Sequence, residues 1–216
     1  MPLDQLFLFV AAGLLLNLTP GPDVVYIVTN ALRGGARAGV VAALGITAGC
    51  FVHIFAAAIG VSALLAASAT AFAVLKWVGA AYLVYVGVRL LTSRTVGAIN
   101  LEAACANSTG AAALNVIFFR GFWTNALNPK VALFFLAFLP QFIDPALEHK
   151  TLAFLALGLL FNFNGLWVNI GWALAAAGLA QRVAAVQRSL HWLDRLAGAM
   201  FIAFGCKLAL TEPPQI

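Results

Sequence analysis

Charged side chains are scarce in this sequence. Only 9% of its 216 residues are Asp, Glu, Lys or Arg, whereas 63% are hydrophobic and the mean hydropathy is +1.00. A soluble domain contains about 25% charged residues, so this chain lacks the polar surface that such a domain presents to water. Its apolar residues instead gather into segments near the roughly 20 residues that cross a bilayer. The composition therefore predicts one integral membrane domain, residues 1–216, surrounded by lipid.

Other scarcities exclude further classes of protein. The three cysteines (Cys50, Cys105 and Cys206) contain no CxxC pair, which argues against a disulfide framework or a thiol relay. Only His53 among the three histidines lies in an apolar segment, and neither HExxH, Gly-x-Ser-x-Gly nor an acidic cluster occurs. We therefore expect no enzyme and no metal site. The twelve Lys and Arg residues form no basic face, so no nucleic-acid partner is expected either.

Six apolar segments are separated by glycines, prolines and charges, such as "RGGARAG" at 33–39. Eight arginines follow the odd-numbered segments, whereas three lysines lie on the opposite side. By the positive-inside rule this bias predicts cytoplasmic odd-numbered connections and both termini outside the cytoplasm. The segments cover about 3–32, 39–66, 70–92, 112–139, 151–179 and 192–211. The arginines are Arg33, Arg37, Arg89, Arg94, Arg120, Arg182, Arg188 and Arg195, and the lysines are Lys76, Lys150 and Lys207.

The two halves of the chain resemble each other. Aligning "TPGPDVVYIV" with "ALNPKVALFF" places Asp23 opposite Lys130, and "WVGAAYLVYVGVRLL" resembles "RLAGAMFIAFGCKLAL". Three spans per copy require the second copy to be inverted, which is a recurrent plan in secondary transporters. Chance similarity between apolar sequences is the alternative. The predicted fold is an all-α membrane protein with six transmembrane helices in two inverted repeats. These are repeat A (about 3–92), a cytoplasmic linker (about 93–111) and repeat B (about 112–211).

Segment one is too long for one straight span and is interrupted by Pro20-Gly21-Pro22. Its roughly 30 residues would form a helix of about 45 Å, whereas the hydrocarbon core is about 30 Å thick. Each proline removes an amide donor and disturbs the preceding turn, so we expect a break within the membrane. Asn128 and Pro129, a preferred N-cap and first helical residue, predict a second break. Irregular backbone at this depth requires protein or a water-filled cavity beside it, so the breaks predict a cavity.

Asp23 and Lys130 follow the two breaks at equivalent positions. A lysine in the first turn of a helix is unfavourable for the helix dipole, and at membrane depth it costs about 2.5–3.5 kcal/mol. An anion therefore has to compensate it. We hypothesise that the two side chains face each other and bind a zwitterion, with its ammonium on Asp23. Its carboxylate would contact Lys130 and the helix starts at Gly21 and Asn128. A permanent ion pair that only completes the packing is the alternative.

His53 is the one titratable imidazole at membrane depth. On a helix it shares a face with Gly49, Ala56 and Gly60, which is typical of a close helix contact. Its side chain has two interpretations that the sequence leaves open. It forms a hydrogen bond across that contact, or it handles protons near neutral pH.

Asparagines are unusually frequent in segment five. Asn162 and Asn169 share one helical face, whereas Asn164 lies off it. These amides either tie helices together or bind a substrate in the cavity. A second set of polar residues flanks the breaks and is expected to satisfy freed backbone groups: Asn17, Thr19 and Asn125.

Four stretches follow one another over nearly the whole chain: "NLTPGPDVVYIV", "RGGARAGVVAALGITAGCFVHIFAAAIG", "KWVGAAYLVYVGVRLL" and "FFRGFWTNALNPKVALFFLAFLPQFI". Together they resemble the lysine-exporter (LysE/RhtB) family of bacterial amino-acid exporters. The family motif residues map onto Pro20, Gly21, Pro22, Asp23, His53, Asn128, Pro129 and Lys130.

The resemblance implies export of an amino acid or close derivative through the bacterial inner membrane, coupled to protons and without an organic cofactor. In such a proton antiport, Asp23 would exchange between Lys130, a proton and a substrate ammonium. A homodimer is possible, because the Gly45–Gly49 face suits either a dimer or an internal contact. The alternative function is export of a metal ion or another small metabolite, although a lone Asp beside a Lys is a poor cation site.

Overall fold

The computed structural model describes most of the chain, and no β-strand occurs among the described residues. Those residues are 3–61, 69–92, 113–144, 147–178, 195–196, 198–200, 202–203, 205–206 and 209–210. The expected linker at 93–111 and the start of the sixth segment lie outside them.

The described residues form six named helices. They are α1 (Leu3–Leu18), α2 (Pro22–Ala56), α3 (Ala69–Thr92), α4 (Leu114–Ala126), α5 (Pro129–Leu133) and α6 (Lys150–Gly178). Helix α2 continues as a π-helical turn, Ala57–Val61, and α5 continues as a π-helical turn, Phe134–Phe138, and a 3-10 turn, Leu139–Phe142. The described residues between 195 and 210 are helical as well.

Helix α2 reverses direction at Gly35, where φ is +69° and ψ is −172°. This backbone conformation is essentially restricted to glycine. A Cβ added to Gly39 would lie 2.7 Å from the Cβ of Ala31, although eight residues of straight helix span about 12 Å. The two arms, residues 22–34 and 36–56, therefore fold back on each other. This reversal coincides with the Gly-rich boundary expected between segments one and two.

The membrane assignment agrees with the lengths and surfaces of these helices. By length and composition, Pro22–Gly60 and Lys150–Gly178 are long and apolar enough to cross a bilayer, although the first is folded back at Gly35. The bent pair Leu114–Ala126 and Pro129–Phe142 passes the same test when its two helices are taken together. One face of α6 exposes large apolar side chains suited to lipid: Leu152, Leu159, Phe163, Trp167 and Leu174. The described residues thus form an all-helical membrane protein, and the number of six spans stays a prediction.

The second arm of α2 packs closely against α4. A Cβ on Gly45 would collide with the Phe118 carbonyl oxygen, and one on Gly49 with the Phe122 carbonyl oxygen. Because both partners advance by four residues, the two helices run in the same direction. Glycine lets the backbones approach to this distance. The Gly45–Gly49 face is therefore an internal contact, which removes the reason for assigning it to a homodimer.

The prediction that Gly49, Ala56 and Gly60 share one packed face with His53 holds for Gly49 and was wrong for Ala56 and Gly60. His53 and Gly49 are buried, but Ala56 and Gly60 are exposed, and no atom of the described residues lies within 4 Å of a Cβ on Gly60. Gly60 lies in the π-helical turn Ala57–Val61, and a π-turn changes the angular spacing on which the face was projected. Ala56 precedes that turn and is exposed within the regular helix.

Helix α3 packs against the last helical region through glycines on both sides. A Cβ on Gly87 would lie 2.6 Å from the carbonyl oxygen of Gly198, and one on Gly205 would lie 2.8 Å from that of Ala80. Residue numbers increase along one helix where they decrease along the other, so the two helices are antiparallel.

Candidate functional site

The first break separates α1 from α2. Helix α1 ends at Leu18, and the Thr19 hydroxyl donates to the Leu15 carbonyl oxygen at 2.6 Å. The Leu15 carbonyl oxygen also accepts from the Thr19 amide at 3.0 Å, so the hydroxyl adds a second bond to a carbonyl that is already paired and not the expected bond to a freed backbone group. Pro22 begins α2, and the preceding Gly21 has no side chain to cap the helix. The early amides of α2 therefore remain free of a side-chain cap at its N-terminus.

The second break separates α4 from α5, and the two segments meet at 43°. Asn128 is the N-cap of α5, and its Oδ1 accepts from the Lys130 amide at 3.0 Å. Pro129 occupies the first helical position, where its missing N–H costs no hydrogen bond. Both predicted helix starts, Pro22 and Asn128-Pro129, are confirmed.

The side chains of Asp23 and Lys130 each form hydrogen bonds with residues at the helix break in the other half of the chain. The Lys130 ammonium donates to the carbonyl oxygens of Leu16 (2.8 Å) and Thr19 (2.9 Å) at the end of α1. Asp23 Oδ2 accepts from the side-chain amides of Asn125 (3.0 Å) and Asn128 (2.9 Å). The two charges are electrostatic neighbours and line one cavity.

The compensation of the Lys130 charge differs from the one we expected. The sequence suggested an anion, whereas the structure also supplies two backbone carbonyls at the C-terminal end of α1. A helix C-terminus carries partial negative charge. The Lys130 ammonium is therefore unfavourable for the positive N-terminus of its own helix, α5, and favourable for the negative C-terminus of α1. The partner came from a segment that is more than 100 residues away in the sequence, so the local pattern gave no sign of it.

Asn125 has a different role from the expected one. Its side chain donates to Asp23 rather than to freed backbone, and its backbone carbonyl oxygen lies 2.8 Å from His53 Nε2. His53 is buried and stacks on Phe135, with ring centroids 6.1 Å apart. His53 therefore contacts the residue that holds Asp23, although it does not itself line the cavity. A hydrogen bond across a helix contact, one of the two interpretations that the sequence left open, is therefore present, and a role in proton handling stays a prediction.

Two of the three asparagines of α6 lie at the cavity, and one of them also connects two helices. Asn162 and Asn169 are buried and line the cavity. Asn162 Nδ2 also donates to the Thr47 carbonyl oxygen at 3.2 Å and thereby ties α6 to α2. Asn164 is half-buried and lies outside the cavity lining.

The cavity between the breaks is small and is lined by both polar and apolar residues. About 20 Å³ is available to the centres of water molecules, which is room for one or two waters. An amino acid therefore fits only after the helices move apart. Polar residues contribute much of the lining: Asn17, Thr19, Asp23, Thr47, Asn125, Lys130, Asn162 and Asn169.

Three buried polar atoms of the cavity lining have no hydrogen-bond partner among the described residues. They are Asp23 Oδ1, Asn125 Oδ1 and Asn17 Nδ2. Buried polar groups are nearly always paired, and an unpaired one is costly. A polar ligand that donates to the two oxygens and accepts from the Asn17 amide would give all three atoms a partner. The described residues contain no group of three or more His, Cys, Asp or Glu suited to a metal ion.

A family model, LysE type translocator, matches residues 14–212, which include both breaks and the cavity. The chain belongs to the LysE family. LysE translocators are membrane transporters and not enzymes, and this assignment confirms the resemblance seen in the sequence.

Curated relatives of this LysE protein match over nearly its whole length. A homoserine/homoserine lactone efflux protein of Salmonella typhimurium is 32% identical over 213 residues, covering 97% of this chain and 98% of the relative. An uncharacterized membrane protein of Vibrio cholerae is 32% identical over 204 residues, covering 94% and 96%. Another, from Pseudomonas aeruginosa, is 32% identical over 193 residues, covering 89% and 88%. No solved structure matches this chain.

Proposed function

We propose that this LysE protein is a secondary active exporter, which moves an amino acid or close derivative out of the cytoplasm in exchange for protons. The observation that carries the proposal is the convergence of Asp23 and Lys130, from the two broken helices, on one cavity. The printed name of the Salmonella typhimurium relative, a homoserine/homoserine lactone efflux protein, supports the same substrate class.

The substrate zwitterion binds between these two charges. Its ammonium takes Asp23 Oδ1, the carboxylate oxygen without a partner among the described residues, while Asn125 and Asn128 hold Oδ2. Its carboxylate takes the Lys130 ammonium and the early amides of α2 beside Gly21. A helix N-terminus next to a lysine is a favourable place for a carboxylate.

Transport follows from the crossed contacts of the two breaks. Lys130 holds the end of α1, and Asp23 holds Asn125 and Asn128, so the two repeats are tied together where the substrate has to pass. A substrate that provides its own carboxylate and ammonium offers replacements for these contacts. Binding thereby favours separation of the halves, since a ligand shifts an equilibrium by its differential affinity for the two states.

Proton coupling is assigned to Asp23, with His53 acting through Asn125. The carboxylate binds either a proton or the substrate ammonium, so one inward proton replaces one outward substrate. The imidazole contacts the backbone of Asn125, whose side chain holds Asp23. His53 therefore sets the position of the carboxylate that exchanges the proton.

We further propose six spans in two inverted repeats, in the bacterial inner membrane, with both termini outside the cytoplasm. In this topology segments two and four run in the same direction and segments three and six in opposite directions. The parallel packing of α2 on α4 and the antiparallel packing of α3 on the last helical region support it.

Proteoliposome efflux tests the proposal. Vesicles loaded with a labelled amino-acid mixture are assayed with and without an inward proton gradient, using wild type and Lys130→Met, which keeps most of the side-chain volume. We expect the gradient to stimulate export of particular amino acids in wild type and little export in the variant. Equal export by both, or export that ignores the gradient, would contradict the proposal.

A further inference from the structure

The cavity contains polar groups that the two ends of a zwitterion leave unused. They are the side chains of Asn17, Thr47, Asn162 and Asn169 on α1, α2 and α6. Asn162 is held in place by its bond to the Thr47 carbonyl oxygen. An α-amino acid whose ammonium and carboxylate occupy Asp23 and Lys130 still has a side chain to place among these amides.

Asn17 is the residue that points to a ligand. Its Nδ2 is buried and has no hydrogen-bond partner among the described residues. An unpaired amide donor is costly in a core that is surrounded by lipid. A substrate oxygen in the cavity would supply the missing partner, and a hydroxyl or a carboxamide both donates and accepts.

Gly165 allows the Asn17 amide to pack directly against the backbone of α6. A Cβ at position 165 would lie 3.2 Å from Asn17 Nδ2 and 3.3 Å from its Oδ1. Any larger residue there would crowd the amide. The same helix brings Asn162 and Asn169 to the cavity, so α6 forms one side of a pocket with Asn17 on the other helix.

The charges of the lining limit what this pocket accepts. Among the described lining residues only Asp23 and Lys130 are charged, and the proposed pose uses both for the ammonium and the carboxylate. A second charge on the substrate would be buried without a counter-ion, which is strongly unfavourable. The pocket therefore discriminates against cationic and anionic side chains.

We propose that Asn17, Gly165 and Asn162 form a side-chain subsite that selects amino acids with a short, uncharged polar side chain. The ligand class is a hydroxyl or carboxamide amino acid. This inference rests on the proposed function, because it assumes an α-amino acid held between Asp23 and Lys130.

Isosteric substrate pairs test the subsite in proteoliposome efflux. Threonine is compared with valine and asparagine with leucine, because each pair differs in polarity more than in shape. We expect wild type to favour the polar member by at least about tenfold in kcat/KM, the value of one buried hydrogen bond. Asn17→Leu is expected to reduce this ratio to about threefold or less. Asn164→Leu, on the same helix as Gly165 but outside the lining, is the control and is expected to keep the wild-type ratio.

The outcomes separate this inference from the proposed function. If wild type exports no amino acid, the proposed function fails and the subsite fails with it. If wild type exports valine and leucine as well as threonine and asparagine, or if Asn17→Leu keeps the wild-type ratio, only the subsite is wrong. If Asn17→Leu does not reconstitute, export by Gly165→Ala tests the subsite instead. The added Cβ is expected to lower export of asparagine at least threefold more than export of threonine, and equal effects on both would overturn the subsite.

Discussion

The ammonium nitrogen of Lys130 lies 2.8 Å from the carbonyl oxygen of Leu16. The lysine begins one broken helix, and the carbonyl belongs to the end of another. A single side chain thus neutralises a helix terminus in the opposite half of the chain, while its own N-terminal position in α5 is unfavourable. A ligand that carries its own charged groups can replace these hydrogen bonds. The proposed transport cycle requires contacts that can be broken and formed again in this way.

Lys130→Met should destabilise the protein as well as stop transport. Removing the ammonium leaves the carbonyls of Leu16 and Thr19 without their donor, and we expect a loss of about 1–3 kcal/mol in unfolding free energy. Thermal unfolding in detergent measures the change. Lys150→Met, at the start of α6, is the control and is expected to behave as wild type. An unchanged melting temperature for Lys130→Met would show that the two carbonyl contacts contribute no stability.

His53→Gln should fold and export, with a weaker response to the proton gradient. Glutamine keeps a hydrogen-bonding side chain for the Asn125 carbonyl oxygen but removes the titratable imidazole. We expect gradient stimulation to be reduced about threefold to tenfold, because we propose that His53 acts on Asp23 through Asn125. Export is measured over a range of imposed gradients. A variant without any gradient response would make His53 the proton carrier, and one identical to wild type would make it purely structural.

Gly45→Ala should disrupt the contact between α2 and α4. The added methyl group meets the carbonyl oxygen of Phe118, and overpacking of this kind costs about 1–3 kcal/mol. Gly171→Ala is the matched control on α6, because no atom of the described residues lies within 4 Å of its Cβ. That variant should be neutral or more stable by up to about 1 kcal/mol. Yield of folded protein and thermal unfolding compare the two. Equal stability would mean that the helices lie further apart than described.

Gly35→Ala should weaken the reversal between the arms of α2. Its φ of +69° and ψ of −172° disfavour every residue with a Cβ, at about 1–3 kcal/mol. Gly178→Ala serves as the control, since Gly178 has no positive φ and no atom in the described part of the chain lies within 4 Å of its Cβ. Thermal unfolding in detergent again provides the measurement. A fully stable Gly35→Ala protein would indicate that the arms do not need this conformation.

Sequence reasoning located the site because proline and charge are informative inside a membrane. Pro22 and Pro129 fix φ and lack an amide donor, so both helix starts followed from the residues themselves. Aligning the two halves of the sequence placed Asp23 opposite Lys130, and the two line one cavity. The lengths of the apolar segments and the polar residues within them determine these features, and both can be read from the sequence.

Other features depend on packing between distant segments. The contact of Asn125 with Asp23 requires α4 to lie against α2, which no local pattern encodes. The face around His53 was wrong at Gly60 because this glycine lies in a π-helical turn, and π-turns have no sequence signal comparable to proline. The carbonyl partners of Lys130 are backbone atoms, whose accessibility depends on where α1 ends rather than on which residues it contains.

Gradient-driven efflux by Asp23→Asn tests the central claim most directly. The substitution keeps the shape and an acceptor oxygen for Asn125 and Asn128, but it removes the charge that binds a proton or a substrate ammonium. Efflux of the amino acid exported by wild type is measured in proteoliposomes with and without an inward proton gradient. The account predicts that Asp23→Asn reconstitutes normally and that its export falls at least tenfold and no longer responds to the gradient. Export at the wild-type rate with an intact response to the gradient would contradict it.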